Sequence, residues 1–366
     1  MLYIFLILLF LNSFLELVFF QTFLRKILWL FSIGLLFIFQ FYLTWTPDLE
    51  SYLSNFNYYN DDLVRKSAEP LFLFLSGLIK ESNGDFTLFM SINYMIILSI
   101  LSYLIYKFSP LPAFVCSIYL LIPFIQNVIQ MRFFMGFVFF MLAVFFYIKN
   151  KKIFILFFIL GCLSHLSIIL FVVLFFIRKY SFFKDYKKCN LILLLVLLIL
   201  IVIPLNIIAP ILNFFNPKYL RYLELYSLSR SLGTIALFIP IFLLNNYCLY
   251  KMTKSFDYKG YSKCIPVFRD LIQFSNFLLI PQFFVRDIWR MSMNLTVFCV
   301  IYLSIYMYIK AKRDKNEFVL LQTNLATLLW VIFTFNYILV IPNGGEFMKV
   351  VDKMIESNVI FNQIFN

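Results

Sequence analysis

Six of the ten arginines in this sequence, Arg65, Arg132, Arg221, Arg230, Arg286 and Arg290, fall on or just within the face opposite the lysine clusters in the topology derived below, whereas 16 of the 21 lysines fall within those clusters. A guanidinium offers a planar fork of donors suited to bidentate contact with phosphate or carboxylate, and an ammonium does not. Arginines kept apart from the anchoring charge point to an anionic ligand on their side of the molecule. Arg132 follows Gln126, Asn127 and Gln130 and directly precedes an apolar run, so a permanent charge sits among polar neighbours at the edge of a hydrophobic layer. An ionisable group at that depth is a functional candidate, with snorkelling to lipid headgroups as the competing explanation. His165 is the single histidine. Its ordinary pKa near ~6.5 suits it to act as a general base towards a hydroxyl, and a hydrogen-bonded packing role is the alternative. No second histidine exists and no cysteine or carboxylate lies at ligand spacing, so neither a metal nor another cofactor is expected.

The elements that must position these groups are membrane helices. The chain is 63% hydrophobic with a mean hydropathy of +0.91 and 50 phenylalanines, more apolar surface than one soluble core of 366 residues could bury. Runs such as Ile27 to Leu43, Leu191 to Ala209 and Phe318 to Val340 have the length needed to cross hydrocarbon as helices. The first twenty residues have no basic start and no small-residue cleavage site, so they read as a retained span. The six scattered cysteines form no CxxC pair and read as apolar filler. A net charge of +13 could suggest nucleic acid, but the basic residues are short clusters between apolar runs, where they set topology. No nucleic-acid partner is expected.

The clusters Arg25-Lys26, Lys107, Lys149 to Lys152, Arg178 to Lys188, Lys251 to Lys263 and Lys310 to Lys315 all belong in the cytoplasm by the positive-inside rule. Ten full spans follow, over about residues 1–20, 27–43, 86–106, 109–125, 133–148, 191–209, 234–250, 264–284, 291–309 and 318–340. The stretch Ile153 to Ile177 is too short for two crossings yet has lysines at both ends. Two readings stand: a re-entrant pair of half-helices turning around Gly161 to His165, or one ordinary span with a basic outer loop. The fold expected is all-α, a polytopic bundle of about ten spans with a re-entrant pair. It forms a single transmembrane domain over 1–341, with outer loops at about 44–85 and 210–233 and a short outer tail over 342–366. The first loop carries seven carboxylates (Asp48, Glu50, Asp61, Asp62, Glu69, Glu81, Asp85) against three basic residues and is therefore acidic. Within it Glu69-Pro70 opens a helix over Pro70 to Lys80 that would lie at the interface. Arg269 and Asp270, adjacent within a span, neutralise one another in the simplest reading.

Several short stretches then carry a family resemblance: Pro47-Asp48-Leu49-Glu50-Ser51-Tyr52, Ala68-Glu69-Pro70-Leu71-Phe72, Gln130-Met131-Arg132 with its Phe-rich span and Lys149 to Lys152, Leu163-Ser164-His165-Leu166-Ser167, and the late Arg290 before a span. In this order and spacing the chain resembles the EpsG-type family, the Wzy-like polymerases of bacterial exopolysaccharide, capsule and O-antigen. It departs from the family where Phe41 to Trp45 replaces an arginine before the aspartate, and where Leu49 replaces an aromatic residue. The resemblance implies a multi-pass protein of the bacterial inner membrane, a metal-independent glycosyltransferase that joins undecaprenyl-diphosphate-linked oligosaccharide repeat units at the periplasmic face. Beyond the lipid bilayer, partners implied are a chain-length regulator and a flippase of the same pathway. Arg132 and Arg290 would hold the diphosphate. His165, Asp48 or Glu69 would activate the acceptor hydroxyl, and Arg221, Arg230, Arg286 and Tyr52 would bind glycan or diphosphate. A flippase for the same lipid-linked unit, and an O-antigen ligase-like transferase, are the rival functions. A flippase should show midplane charge and repeated halves, and the charge here lies at one face with no internal repeat.

Overall fold

The computed structural model describes residues 2–18, 23–177, 185–202, 210, 228–253, 260–282, 288–314, 318–337 and 346–360. Among them every regular element is helical, apart from an isolated bridge between Leu43 and Asn358. The chain divides into two compact units, residues 1–172 with 304–366, and residues 173–303.

The first unit begins with α1 (Leu2–Val18) and α2 (Leu24–Phe41), followed by the loop helices α3 (Leu49–Asn57), α4 (Asp62–Ser67) and α5 (Pro70–Glu81). Its interior is built by α6 (Phe86–Phe108), α7 (Pro112–Tyr119), α8 (Ile125–Ile129) and α9 (Met131–Ile148). Helix α7 is buried on all sides and α9 on most, whereas Ile7, Leu11 and Phe14 of α1 face outward, as expected where the solvent is lipid. Several buried polar groups of this unit tie its helices together. Asn12 donates to Leu28 O at 2.5 Å and to Ser32 Oγ at 2.6 Å, tying α1 to α2. Glu16 is buried, and its two carboxylate oxygens accept from the first free amides of α7, Ala113 N at 3.0 Å and Phe114 N at 2.8 Å. A carboxylate at a helix N-terminus satisfies orphan donors and the helix dipole together.

The apolar run expected as one span over 109–125 is not continuous. Pro123 has no amide to donate and forces Ile122 out of helical geometry, to φ −143°, ψ 115°. The helical pieces on either side, Pro112–Tyr119 and Ile122–Ile129, meet at 83°. Past the Lys149 to Lys152 turn, α10 (Phe154–Ser164) returns along α9 with Phe157 stacked on Phe146 at 5.2 Å. A 3-10 turn over Leu166–Phe171 and α11 (Val172–Ile177) follow.

In the second unit α12 (Tyr186–Val202), α13 (Leu228–Thr253), α14 (Cys264–Phe277), the short α15 (Leu279–Gln282) and the first part of α16 (Trp289–Asp314) pack together, with α13 expected from 234–250 and α16 from 291–309. The first unit is completed by α17 (Phe318–Phe335) and α18 (Glu346–Glu356). Among the described residues five helices are long and apolar enough to cross a membrane: Leu24–Phe41, Phe86–Phe108, Met131–Ile148, Ile235–Thr253 and Trp289–Arg313. The loop around 211–227, expected at the outer face, lies outside the described residues.

Candidate functional site

Glu69 is the residue before α5, with Pro70 at the first helical position. Its backbone is extended at φ −72°, ψ 142°, as a residue before proline must be, and its side chain makes no capping bond. The carboxylate turns instead to Arg132, whose Nη1 donates to Glu69 Oε2 at 2.5 Å. Arg132 is the second residue of α9, a helix that begins with Met131 directly after the non-helical Gln130 at φ −109°, ψ 63°. A cation at a helix N-terminus opposes the dipole. Glu69 compensates that charge, and the placement has no stabilising logic without an anion beside it.

Two rings carry the guanidinium. Its carbon lies 5.3 Å from the Tyr52 ring centroid and 5.7 Å from that of Phe72, within cation–π range. The rings themselves are 5.9 Å apart, and both side chains are buried. Tyr52 belongs to α3, whose preceding residue is Asp48, and Tyr52 N donates to Asp48 O at 3.0 Å. The Tyr52 phenol is pushed well above its ordinary pKa, first by burial and then by the Asp48 charge, with the Arg132 charge pulling the other way. It therefore stays protonated and donates to Ile129 O at 3.4 Å, fastening α3 to the joint before α9.

His165 arrives from the other side. It breaks α10 with extended backbone at φ −160°, ψ 121°. Gly161, one turn earlier, lies so close to Gly136 that a Cβ on either would come within 3.0 Å of the other's carbonyl oxygen. Small residues at a helix crossing permit this approach. After His165 the chain comes back along α9: His165 meets Phe133 edge-on at 5.3 Å, and Phe171 stacks on Phe140 at 4.3 Å. Ser167 holds Nδ1 of the imidazole, with Oγ at 2.7 Å and backbone N at 3.3 Å. Nε2 thereby faces Glu69 and lies 3.9 Å from Oε1. Charged and titratable groups of three separate sequence stretches thus meet around one carboxylate, partly open to the outside, with side chains 18% (Glu69), 23% (Arg132) and 34% (His165) exposed.

Of the expected site residues, the structure brings Arg132, Glu69 and His165 together, with Tyr52 beneath and Asp48 acting on Tyr52. Arg290 lies in the first turn of α16 in the second unit, where its carbonyl accepts from Asn294 Nδ2 at 2.9 Å. Arg230 lies in the first turn of α13, and Arg221 and Arg286 fall outside the described residues. Arg269 and Asp270 pair with each other at 2.9 Å, as their adjacency suggested. Arg65 is exposed and donates to Asn60 at 2.8 Å. Sequence reasoning named Ser167 and Phe72 only as members of the family stretches, without a role, and passed over Glu16. A lone carboxylate inside an apolar run was the available signal for Glu16. Among the described residues no group of three or more His, Cys, Asp or Glu side chains could hold a metal ion.

The sequence matches the EpsG family over residues 26–347. No curated protein and no solved structure matches the chain.

Proposed function

We propose, from the premise that this chain belongs to the EpsG family and is a membrane protein of polysaccharide-polymerase type, that it joins undecaprenyl-diphosphate-linked oligosaccharide repeat units at the outer face of the bacterial inner membrane. The observation that carries this reading is the meeting of Arg132, Glu69 and His165 around one carboxylate. A glycosyl transfer of this kind needs a cation to take up charge on the departing diphosphate and a proton acceptor beside the attacking hydroxyl. Arg132 supplies the first, held in place on Tyr52 and Phe72. The Glu69 carboxylate, with His165 beside it, supplies the second. Arg290, Arg230, Arg221 and Arg286 are assigned to diphosphate or glycan, and Asp48 to the setting of Tyr52.

The reversal after His165 supports a helix pair that enters the bilayer and returns to the side it came from, since Phe171 comes back to Phe140. That topology keeps the lysines at 149–152 and 184–188 in the cytoplasm and leaves the acidic loop of residues 44–85 on the outer side. The bilayer presents the lipid carrier, and a flippase and chain-length regulator of the same pathway are the expected partners.

The test is the glycan banding pattern of a deletion strain. Complementation with the wild-type gene should restore long chains, and Arg132→Ala at equal protein level should yield single repeat units only. Full-length polysaccharide from Arg132→Ala would overturn the assignment.

A further inference from the structure

One ring nitrogen of His165, Nδ1, meets a group whose polarity is fixed. The Ser167 backbone N–H points at Nδ1 from 3.3 Å and can only donate, so Nδ1 must present its lone pair. The Ser167 hydroxyl, at 2.7 Å from the same nitrogen, then donates as well. A neutral imidazole with Nδ1 accepting carries its proton on Nε2, the nitrogen that faces Glu69 Oε1 across 3.9 Å. A nitrogen that already bears a proton cannot remove another.

We infer that Ser167 is a positioning residue that fixes His165 as the Nε2–H tautomer, so that Glu69 and not His165 takes the proton from the acceptor hydroxyl. This rests on the transferase reading above. In the step so described the acceptor oxygen forms the bond to the anomeric carbon while that carbon's bond to the diphosphate oxygen breaks. The bonding pair leaves on the diphosphate, and the acceptor proton goes to Glu69. His165 donates from Nε2 to Oε1 and keeps the carboxylate turned towards the acceptor, a contact that tightens from 3.9 Å when substrate closes the site. Once protonated, Glu69 no longer neutralises Arg132. The guanidinium is released to the diphosphate as its negative charge develops, so one proton transfer serves both ends of the reaction.

Because His165 is the only histidine, histidine-selective 15N labelling of the full chain, purified in detergent with a tag that contains no histidine, reports this one ring without assignment. The expected spectrum has a protonated Nε2 and an unprotonated Nδ1 near neutral pH. Ser167→Ala keeps the backbone N–H and loses only the 2.7 Å hydroxyl bond, so it should retain the Nε2–H form, broaden its signal as the ring loosens, and lower turnover of a synthetic polyprenyl-diphosphate oligosaccharide by about tenfold, and Ser167→Thr should restore both line width and rate. Glu69→Gln should keep the Nε2–H signal and lose turnover by about a hundredfold or more. A proton on Nδ1, or an average over both nitrogens in the wild type, would overturn the role of Ser167. Turnover of Glu69→Gln at the wild-type rate would overturn the role of Glu69. A wild-type chain with the Nε2–H signal that polymerises nothing would count against the transferase reading and leave the hold of Ser167 on the ring established.

Discussion

Arg132 is supported from below by carbon and from the side by charge, and these two supports fail differently. Arg132→Lys keeps one positive charge but loses the planar fork and its fit on Tyr52 and Phe72. We expect polymer yield to fall at least tenfold, about 1.4 kcal/mol of lost transition-state stabilisation, read from the repeat-unit ladder at equal protein level. Tyr52→Phe leaves the ring under the guanidinium and removes only the hydroxyl's bond to Ile129 O, so it should retain most activity, while Tyr52→Ala should behave like Arg132→Lys. At this scale the sequence was legible wherever a charge stood in apolar surroundings: Arg132 and His165 stand out because an ionisable group there is costly. Ser167 was visible only as part of the stretch around His165, and its role had no signature until its amide and hydroxyl were seen on the same ring nitrogen. Glu16 was hidden inside a segment whose hydropathy already explained it.

Helices meet at the site because their surfaces are cut away to let them. Gly136 and Gly161 leave no room for a Cβ, and Gly161→Leu should push α10 off α9 and carry His165 away from Glu69. The expected result is loss of polymer together with a lower melting temperature in detergent, whereas Gly34→Ala, where an added Cβ meets nothing within 4 Å, should change neither. The 12-residue α5 was legible from its Glu69-Pro70 start and is found over Pro70–Glu81. The break at Ile122 was not, because composition marks a run as apolar without saying that one proline will divide it. The second unit shows a different device. Asn190, Asn245, Gln273, Ser275 and Asn276 form hydrogen bonds between α12, α13 and α14, and the Asn245 amide donates to Asn276 Oδ1 at 2.8 Å. Amides that bridge helices in lipid are worth on average about 0.6 kcal/mol each. Asn245→Leu should thus lower the melting temperature modestly, without the specific loss of long chains that marks a site variant.

At the scale of the first unit, two basic clusters lie together. Arg25 at the start of α2 donates to Pro110 O at 3.0 Å, which puts the Arg25-Lys26 and Lys107 clusters at one end of the first unit, the arrangement that charge alone called for. A reporter fused at Lys187 should read as cytoplasmic, and an outer-side reading would exclude the return of the chain after His165. The other end of α2 is closed by distant residues. Asn358 is buried and donates to Ile38 O and Phe39 O at 3.0 and 3.1 Å, while Thr44 Oγ1 donates to Ser357 O at 2.7 Å across 313 residues of sequence. Lys353 covers the Trp45 ring at 3.9 Å. A ribosome delivers these partners in order, so the segment leading to Asp48 is made long before residues 357–359 exist to fasten it. Throughout that interval the nascent chain holds a finished first helix pair and an unfastened loop of residues 44–85. A chain stopped before Glu346 should insert, accumulate and make no polymer, and a separately supplied peptide of residues 346–360 would be the missing last step of its maturation.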